Sequence, residues 1–197
     1  FTANSNQSQL QASGYWLITD DAPVTQVSGN LQSDDFGDLL RQYGLETAIR
    51  DSSADIAFGF NWQGHPHQPD LNSLGGSLEW QLGKGYLAEV SDGGARLFSV
   101  LSLDGILRKL TLDFRDIFSQ GMFYTDLTGS VQLDQGIATT ADTQLLGSAG
   151  NMDIQGTTNL VTNELDYQLS YAPKVTSSLP VILAWMVNPP SGLAALL

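Results

Sequence analysis

From Leu127 to Tyr171 the chain keeps a two-residue rhythm. Leu127, Gly129, Val131 and Leu133 alternate with Thr128, Ser130 and Gln132. Later, Leu165, Tyr167, Leu169 and Tyr171 alternate with Asp166, Gln168 and Ser170. A period of two is the side-chain period of a β-strand, so each run presents one apolar and one polar face. Turn-forming pieces separate the runs: "DQG" before Ile137, "GSAGN" before Met152 and Ile154, and "TNE" before Leu165. Strands broken by a turn about every ten residues read as an antiparallel meander. Its inner face is expected to carry Leu127, Val131, Leu133, Ile137, Ile154, Leu165 and Leu169.

The first half is less regular. Residues 1 to 13 are polar and aperiodic, and read as a flexible end or linker. "GYWLIT" and "VTQVSGNLQ" are short strands. "SDDFGDLLRQYG" is a helix that Ser33 or Asp34 can cap and Gly44 can stop, with Leu39, Leu40 and Tyr43 on one apolar side. In "DIAFGFNW", Ile56, Phe58, Phe60 and Trp62 share a face. "QGHPHQPDLNSLGG" is a loop by its Pro and Gly content. "SLEWQLGKGYLAEV" reads as a hairpin: Leu78, Trp80 and Leu82 go out, "GKG" turns, and Tyr86, Ala88 and Val90 return. A sheet with one apolar face must cover it. Many strands and few helices therefore predict a mainly β chain, a curved antiparallel sheet shaped as a groove or folded on itself like a taco, with a few short covering helices.

One stretch departs from this pattern: "RLFSVLSLDGILRKLTLDFRDIFSQG", residues 96 to 121. Leu97, Val100, Leu101 and Leu107 suit short helices broken near Gly105, whereas Leu110, Leu112 and Phe114 alternate like a strand. Lys84, Arg96, Arg108, Lys109 and Arg115 are five of the chain's eight basic residues, and only four of its 21 acidic residues fall in the same window. The expected arrangement is an apolar cover over the sheet interior, formed by Leu97, Val100, Leu101 and Leu107. Arg96, Arg108, Lys109 and Arg115 are then expected at its rim, because free guanidinium and ammonium groups are costly to bury.

Several function classes drop out. A net charge of −13 repels phosphate backbones, so no nucleic-acid partner is expected. Zero cysteines exclude a disulfide scaffold and a thiol nucleophile. The longest apolar run, "LPVILAWMV", has nine residues, whereas a spanning helix needs about 20. Phosphate-binding glycine loops and nucleophile elbows are absent from the sequence, and no cofactor is expected. His65, His67 and Asp70 would make a weak metal site and read better as an exposed loop. Glu79, Glu89, Asp113 and Asp116 are available for glycosidase chemistry, but their spacing selects no pair. Asp113, Arg115 and Asp116 read as ion pairs or caps, and Trp16, Trp62, Trp80 and Trp185 as core or interface residues rather than sugar platforms. The start at Phe1 and the end in "SGLAALL" read as the edges of an excised or processed segment.

The run "LSLDGILRKLTLDFRDIFSQG" followed by "LTGSVQLDQGIATT" resembles the C-terminal region of the AsmA-like family, particularly its YhdP-type branch. The resemblance covers residues 74 to 187 well and 14 to 73 loosely, and the chain stops at Leu197 where the family usually continues. It implies residues 14 to 197 as a β-groove segment of a longer protein, anchored in the inner membrane of a Gram-negative bacterium and crossing the periplasm. The implied function is non-enzymatic: carrying phospholipid between inner and outer membranes and supporting outer-membrane integrity. Its implied partners are phospholipid, the remainder of the longer chain, and a membrane at one end. Leu97, Leu101 and Leu107 would then join the sheet's inner residues along the lipid path, and Arg96, Arg108, Lys109 and Arg115 would meet headgroups. Two other readings remain open at this level: a β-sandwich glycan-binding module or glycosidase, and a passive protein-interaction domain.

Overall fold

The computed structural model describes residues 1–18, 23–45, 47–88 and 122–174. Among these, the strands are β1 (Thr2–Asn4), β2 (Ser8–Leu17), β3 (Val24–Ser33), β4 (Ile49–Arg50), β5 (Ala54–Gln63), β6 (Gly75–Leu82), β7 (Gly85–Leu87), β8 (Met122–Asp134), β9 (Ile137–Gly147), β10 (Gly150–Asn159) and β11 (Glu164–Pro173). One helix, α1 (Phe36–Gln42), lies between β3 and β4. All eleven strands belong to one open sheet ordered β1-β2-β3-β5-β6-β8-β9-β10-β11, and β4 and β7 fill in beside the start of β8. Every pairing is antiparallel. The curved antiparallel sheet expected from the rhythm is present, with a single short helix among the described residues.

Turn chemistry sets the register. Gln135 and Gly136 have φ of 48° and 75°, the left-handed pair that a tight two-residue hairpin needs. At the next reversal but one, Asn159 Oδ1 accepts from Val161 N and Thr162 N, each at 3.0 Å. That side chain mimics a backbone turn.

Bulges keep the faces in step. Between β8 and β9 the register slips at Tyr124/Asp126 and again at Thr128/Gln132, and β9 slips against β10 between Ile154 and Gly156. On β9 the extra residue makes both Ala141 and Asp142 face outward. The Asp142 carboxylate then accepts from Ser130 N and Ser130 Oγ, both at 2.8 Å. Asp142 thereby supplies an acceptor to a main-chain N–H at the bulge. Without the slip, Thr143 and Leu145 would turn outward and the core would lose its centre.

Side chains stack in rows across the inner face. The row next to α1 contains Ala54, Leu82, Leu127, Leu145, Met152 and Tyr171 by register. Leu145 is 0% and Met152 1% exposed. Leu31 on β3 and Tyr167, Leu169 and Tyr171 on β11 pack against one cluster that extends across the strands between them. A second, smaller cluster of Val131, Leu133 and Ala138, with Phe60, Leu74 and Leu160, lies towards the other end.

Several expectations need correction. Residues 1 to 13 are not a free end: Thr2–Asn4 pairs with Gln9–Gln11, and Ser8–Leu17 pairs along its whole length with β3. Main-chain pairing orders them, which needs no apolar side chain and so leaves little trace in composition. "SLEWQLGKGYLAEV" is not a hairpin. β6 and β7 run in the same direction and pair in turn with the long strand β8. The glycines of "GKG" allow close approach instead of a reversal. A Cβ on Gly85 would sit 2.7 Å from Ser52 Cβ and 2.8 Å from Tyr124 Oη. The helix is capped by Asp35, whose side chain accepts from Asp38 N at 2.8 Å, rather than by Ser33 or Asp34. Gly44 does end it, with φ of 75°. Tyr43 is 77% exposed, and Phe36 is the helix residue packed on the core. The short helices expected over 96–109 lie outside the described residues.

Two outcomes follow from this packing. Gly76 has φ of 130°, and a Cβ there would overlap the Gly59 carbonyl oxygen on the neighbouring strand. Gly59 faces open space, with Ser28 Cβ at 3.9 Å as its nearest neighbour. In urea denaturation Gly76→Ala should lose roughly 2–4 kcal/mol, whereas Gly59→Ala should be neutral or gain up to about 1 kcal/mol. Equal effects would refute the close approach of β5 and β6. The second outcome concerns Tyr124, which is 3% exposed. Burial raises its pKa above the ordinary 10.0, offset by the Ser52 side chain nearby, although the pair does not reach full hydrogen-bond geometry. A raised folded pKa means this contribution is complete below pH 10.0 and fades as pH climbs through the folded value. Tyr124→Phe should therefore match or exceed the parent's stability at neutral pH and lose less of it than the parent in strong alkali. Urea midpoints measured on both sides of the ordinary tyrosine pKa check this.

Candidate functional site

All the long strands build the inner face of the sheet together. Alternation sends every second side chain there, and the antiparallel register lines them up. Trp80 packs against the position of Gly129, where a Cβ would lie 2.6 Å from Trp80 Cζ2 and 2.5 Å from Thr143 Oγ1. Gly129 therefore makes room for an indole on its neighbour strand. Phe58 and Phe60 stack on β5 with ring centroids 5.7 Å apart and an interplanar angle of 19°. Phe58, Phe60, Leu78 and Trp80 are only half-buried. They form the looser part of the face, away from the tightly filled row beside α1.

Two pairs of hydroxyls on this face satisfy each other, whereas the Tyr124 hydroxyl has no hydrogen-bond partner. Thr140 and Thr143 share a hydrogen bond of 2.6 Å between hydroxyls, and Thr158 meets the Tyr167 hydroxyl at 2.8 Å. Among the described residues no Asp, Glu, Lys or Arg is buried. Burial raises the pKa of Tyr124, Tyr167 and Tyr171, so the phenols there stay neutral. The outer face is different: Gln11, Asn30, Ala57, Glu79 and Ser130 succeed one another across it in register.

Of the residues expected on the inner face, Leu127, Val131, Leu133 and Ile154 are buried there, at 2%, 8%, 8% and 1% exposure. Leu165 and Leu169 are half-buried on the same side. Ile137 is a correction. It is 44% exposed on the outer face. It sits directly opposite Asp134 across the two-residue turn, and paired residues share a face, so Ala138 points inward instead. Leu97, Leu101, Leu107, Arg96, Arg108, Lys109 and Arg115 lie outside the described residues. Sequence reasoning missed Leu145 and Met152, the centre of the core. Leu145 is followed by Leu146, so composition alone does not say which of the two faces inward.

Other chemistry-bearing residues do not converge. His65 and His67 stack on each other at 5.5 Å, and Trp16 tilts onto His65 at 5.1 Å. Among the described residues no group of three His, Cys, Asp or Glu is arranged to hold a metal. Asp70 is held below the usual carboxylate range by hydrogen bonds from Asn72 and Ser73, as the organiser of its own loop. Glu79 stands on the outer face, and Glu89, Asp113 and Asp116 lie outside the described residues. Trp62 is buried and donates from Nε1 to the His65 carbonyl at 3.0 Å.

No solved structure matches the chain. It is 32% identical over 188 residues to the intermembrane phospholipid transporter YhdP of Escherichia coli strain K12. That alignment takes in 95% of this chain and 15% of the relative, so the chain spans a small part of the longer protein. The model of the family described as "YhdP protein" matches residues 2–197. The whole described sheet thus falls inside one family match, and the chain belongs to the YhdP family.

Proposed function

We propose that this chain is a non-enzymatic phospholipid-transfer module. The inner face of its curved sheet carries acyl chains between the inner and outer membranes of a Gram-negative envelope. The longer protein around it would be anchored in the inner membrane, with this module in the periplasm, and lipid delivery would support outer-membrane integrity. The observation that carries the reading is an inner face of aliphatic and aromatic side chains, free of buried charge among the described residues and built across successive strands.

The energetics favour a surface of this type. Each buried CH₂ is worth roughly 0.8 kcal/mol, so an acyl chain of about 16 carbons crossing water faces a barrier on the order of 12 kcal/mol. A hydrocarbon-like face nearly cancels that barrier, because bilayer and protein then offer the chain the same solvent. Tight binding is unnecessary and would slow release. Such a function needs no nucleophile, base or metal, only continuity of apolar surface. The half-buried Phe58, Phe60, Leu78 and Trp80 are where an acyl chain would gain contact, while the row at Leu145 and Met152 holds the fold.

Native mass spectrometry after gentle purification should detect co-purified phospholipid. Phe60→Gln with Leu78→Gln should reduce lipid occupancy severalfold with a modest drop in Tm. Leu145→Asp should instead abolish folding, because it buries a charge without a partner. A lipid-free parent protein, or full occupancy in the Phe60/Leu78 variant, would refute the reading.

A further inference from the structure

Half-buried aromatic residues of the inner face stand opposite glycines. By register Phe58 faces Gly29, Phe60 faces Gly76, Trp80 faces Gly129 and Tyr167 faces Gly156. All four aromatics are half-buried. Three of the rings reach across onto the partner strand. A Cβ on Gly29 would lie 2.9 Å from Phe58 Cζ, the far end of that ring. One on Gly129 would lie 2.6 Å from Trp80 Cζ2, and one on Gly156 2.7 Å from Tyr167 Cδ1. The Tyr167 hydroxyl also meets that of Thr158, on the strand of Gly156, at 2.8 Å. Strand side chains ordinarily stand roughly perpendicular to the sheet. These rings instead occupy the space that a partner side chain would take. The filled row beside α1 is built differently: Leu145 and Met152, two large side chains, are paired with each other and both are buried.

We propose that Gly29, Gly129 and Gly156 are positioning residues of the lipid path. Each lets an aromatic ring lean over its strand, so that the space beyond the ring is left to an acyl chain. The inference rests on the lipid-transfer reading and adds what keeps the floor of that path low. A side chain at one of these positions would lift the ring into the path without making the face less apolar, so shape alone would change. At Gly29 and Gly156 a Cβ would also meet a main-chain oxygen, of Gln11 and of Asp166, so these two serve strand packing as well. Gly129 separates the two roles better. Its two nearest atoms belong to side chains, Thr143 Oγ1 at 2.5 Å and Trp80 Cζ2 at 2.6 Å, and a methyl group there displaces the indole.

The test is phospholipid occupancy of the 197-residue chain by native mass spectrometry, measured beside Tm. Gly129→Ala should lower occupancy about tenfold, the scale of an overpacked site. Adding Trp80→Leu removes the ring and keeps the face apolar. The double variant should regain parental occupancy, although Thr143 still holds its Tm below the parent's. Two controls separate this from a plain loss of stability. Leu145→Val should lower Tm and keep parental occupancy. Gly59→Ala, on the outer face with open space around it, should lower neither. Parental occupancy in Gly129→Ala would overturn the inference, as would a double variant as empty as the single one, or a Leu145→Val variant that empties equally. Failure of both Gly129 variants to fold would overturn it too, because the obstacle would then be strand pairing and not the ring. A parent free of phospholipid would instead sink the transfer reading, and this inference with it.

Discussion

An antiparallel hydrogen-bond ladder runs without interruption from β1 to β11, and the rest of the molecule answers to it. A single sheet with one apolar face must cover that face. Leu31 on the third strand and Tyr171 on the last pack against one cluster that runs from strand to strand, although 140 residues separate them in sequence. The helix contributes Phe36 and little more. The makeup of the core and the orientation of its inner residues descend from main-chain pairing and from the parity that pairing enforces.

Parity also explains what could be read from the residues alone. Strands such as "DIAFGFNW" and "LDYQLSYAP" state their inner residues openly, because a large apolar side chain recurs at every second position. "QLLGSAG" does not: two leucines in succession leave both faces available, and only the bulge at Ala141–Asp142 decides for Leu145. Ile137 misled for a related reason. It is large and apolar, but the tight turn ties it to Asp134, which must face water. "GKG" looked like a turn because glycine serves turns and close approaches equally well. The first thirteen residues looked like a linker because edge pairing leaves so little mark on side-chain choice.

The inner face could be anticipated as a class of surface, but its individual residues were harder to name. An apolar sheet face places no demand on any one position; it requires only that a run of positions avoid charge. Among the described residues no group of His, Cys, Asp or Glu converges to hold a metal, while the alternation in the same strands is plain. The Thr140–Thr143 and Thr158–Tyr167 pairs show how most of these hydroxyls are admitted, each with its own partner; Tyr124 is the exception.

Asp142 has a further consequence for how such a sheet can change over evolutionary time. Because one added residue inverts everything downstream in a strand, single insertions are tolerated only where something absorbs the phase error. The β9 bulge is such a place, held by a carboxylate that occupies a main-chain donor and a hydroxyl of Ser130 at once. It works as a phase shifter: strands upstream and downstream can be lengthened or rewritten independently, provided this clip survives. In a long protein assembled from many successive strands, such clips would let length drift while the inside stayed inside.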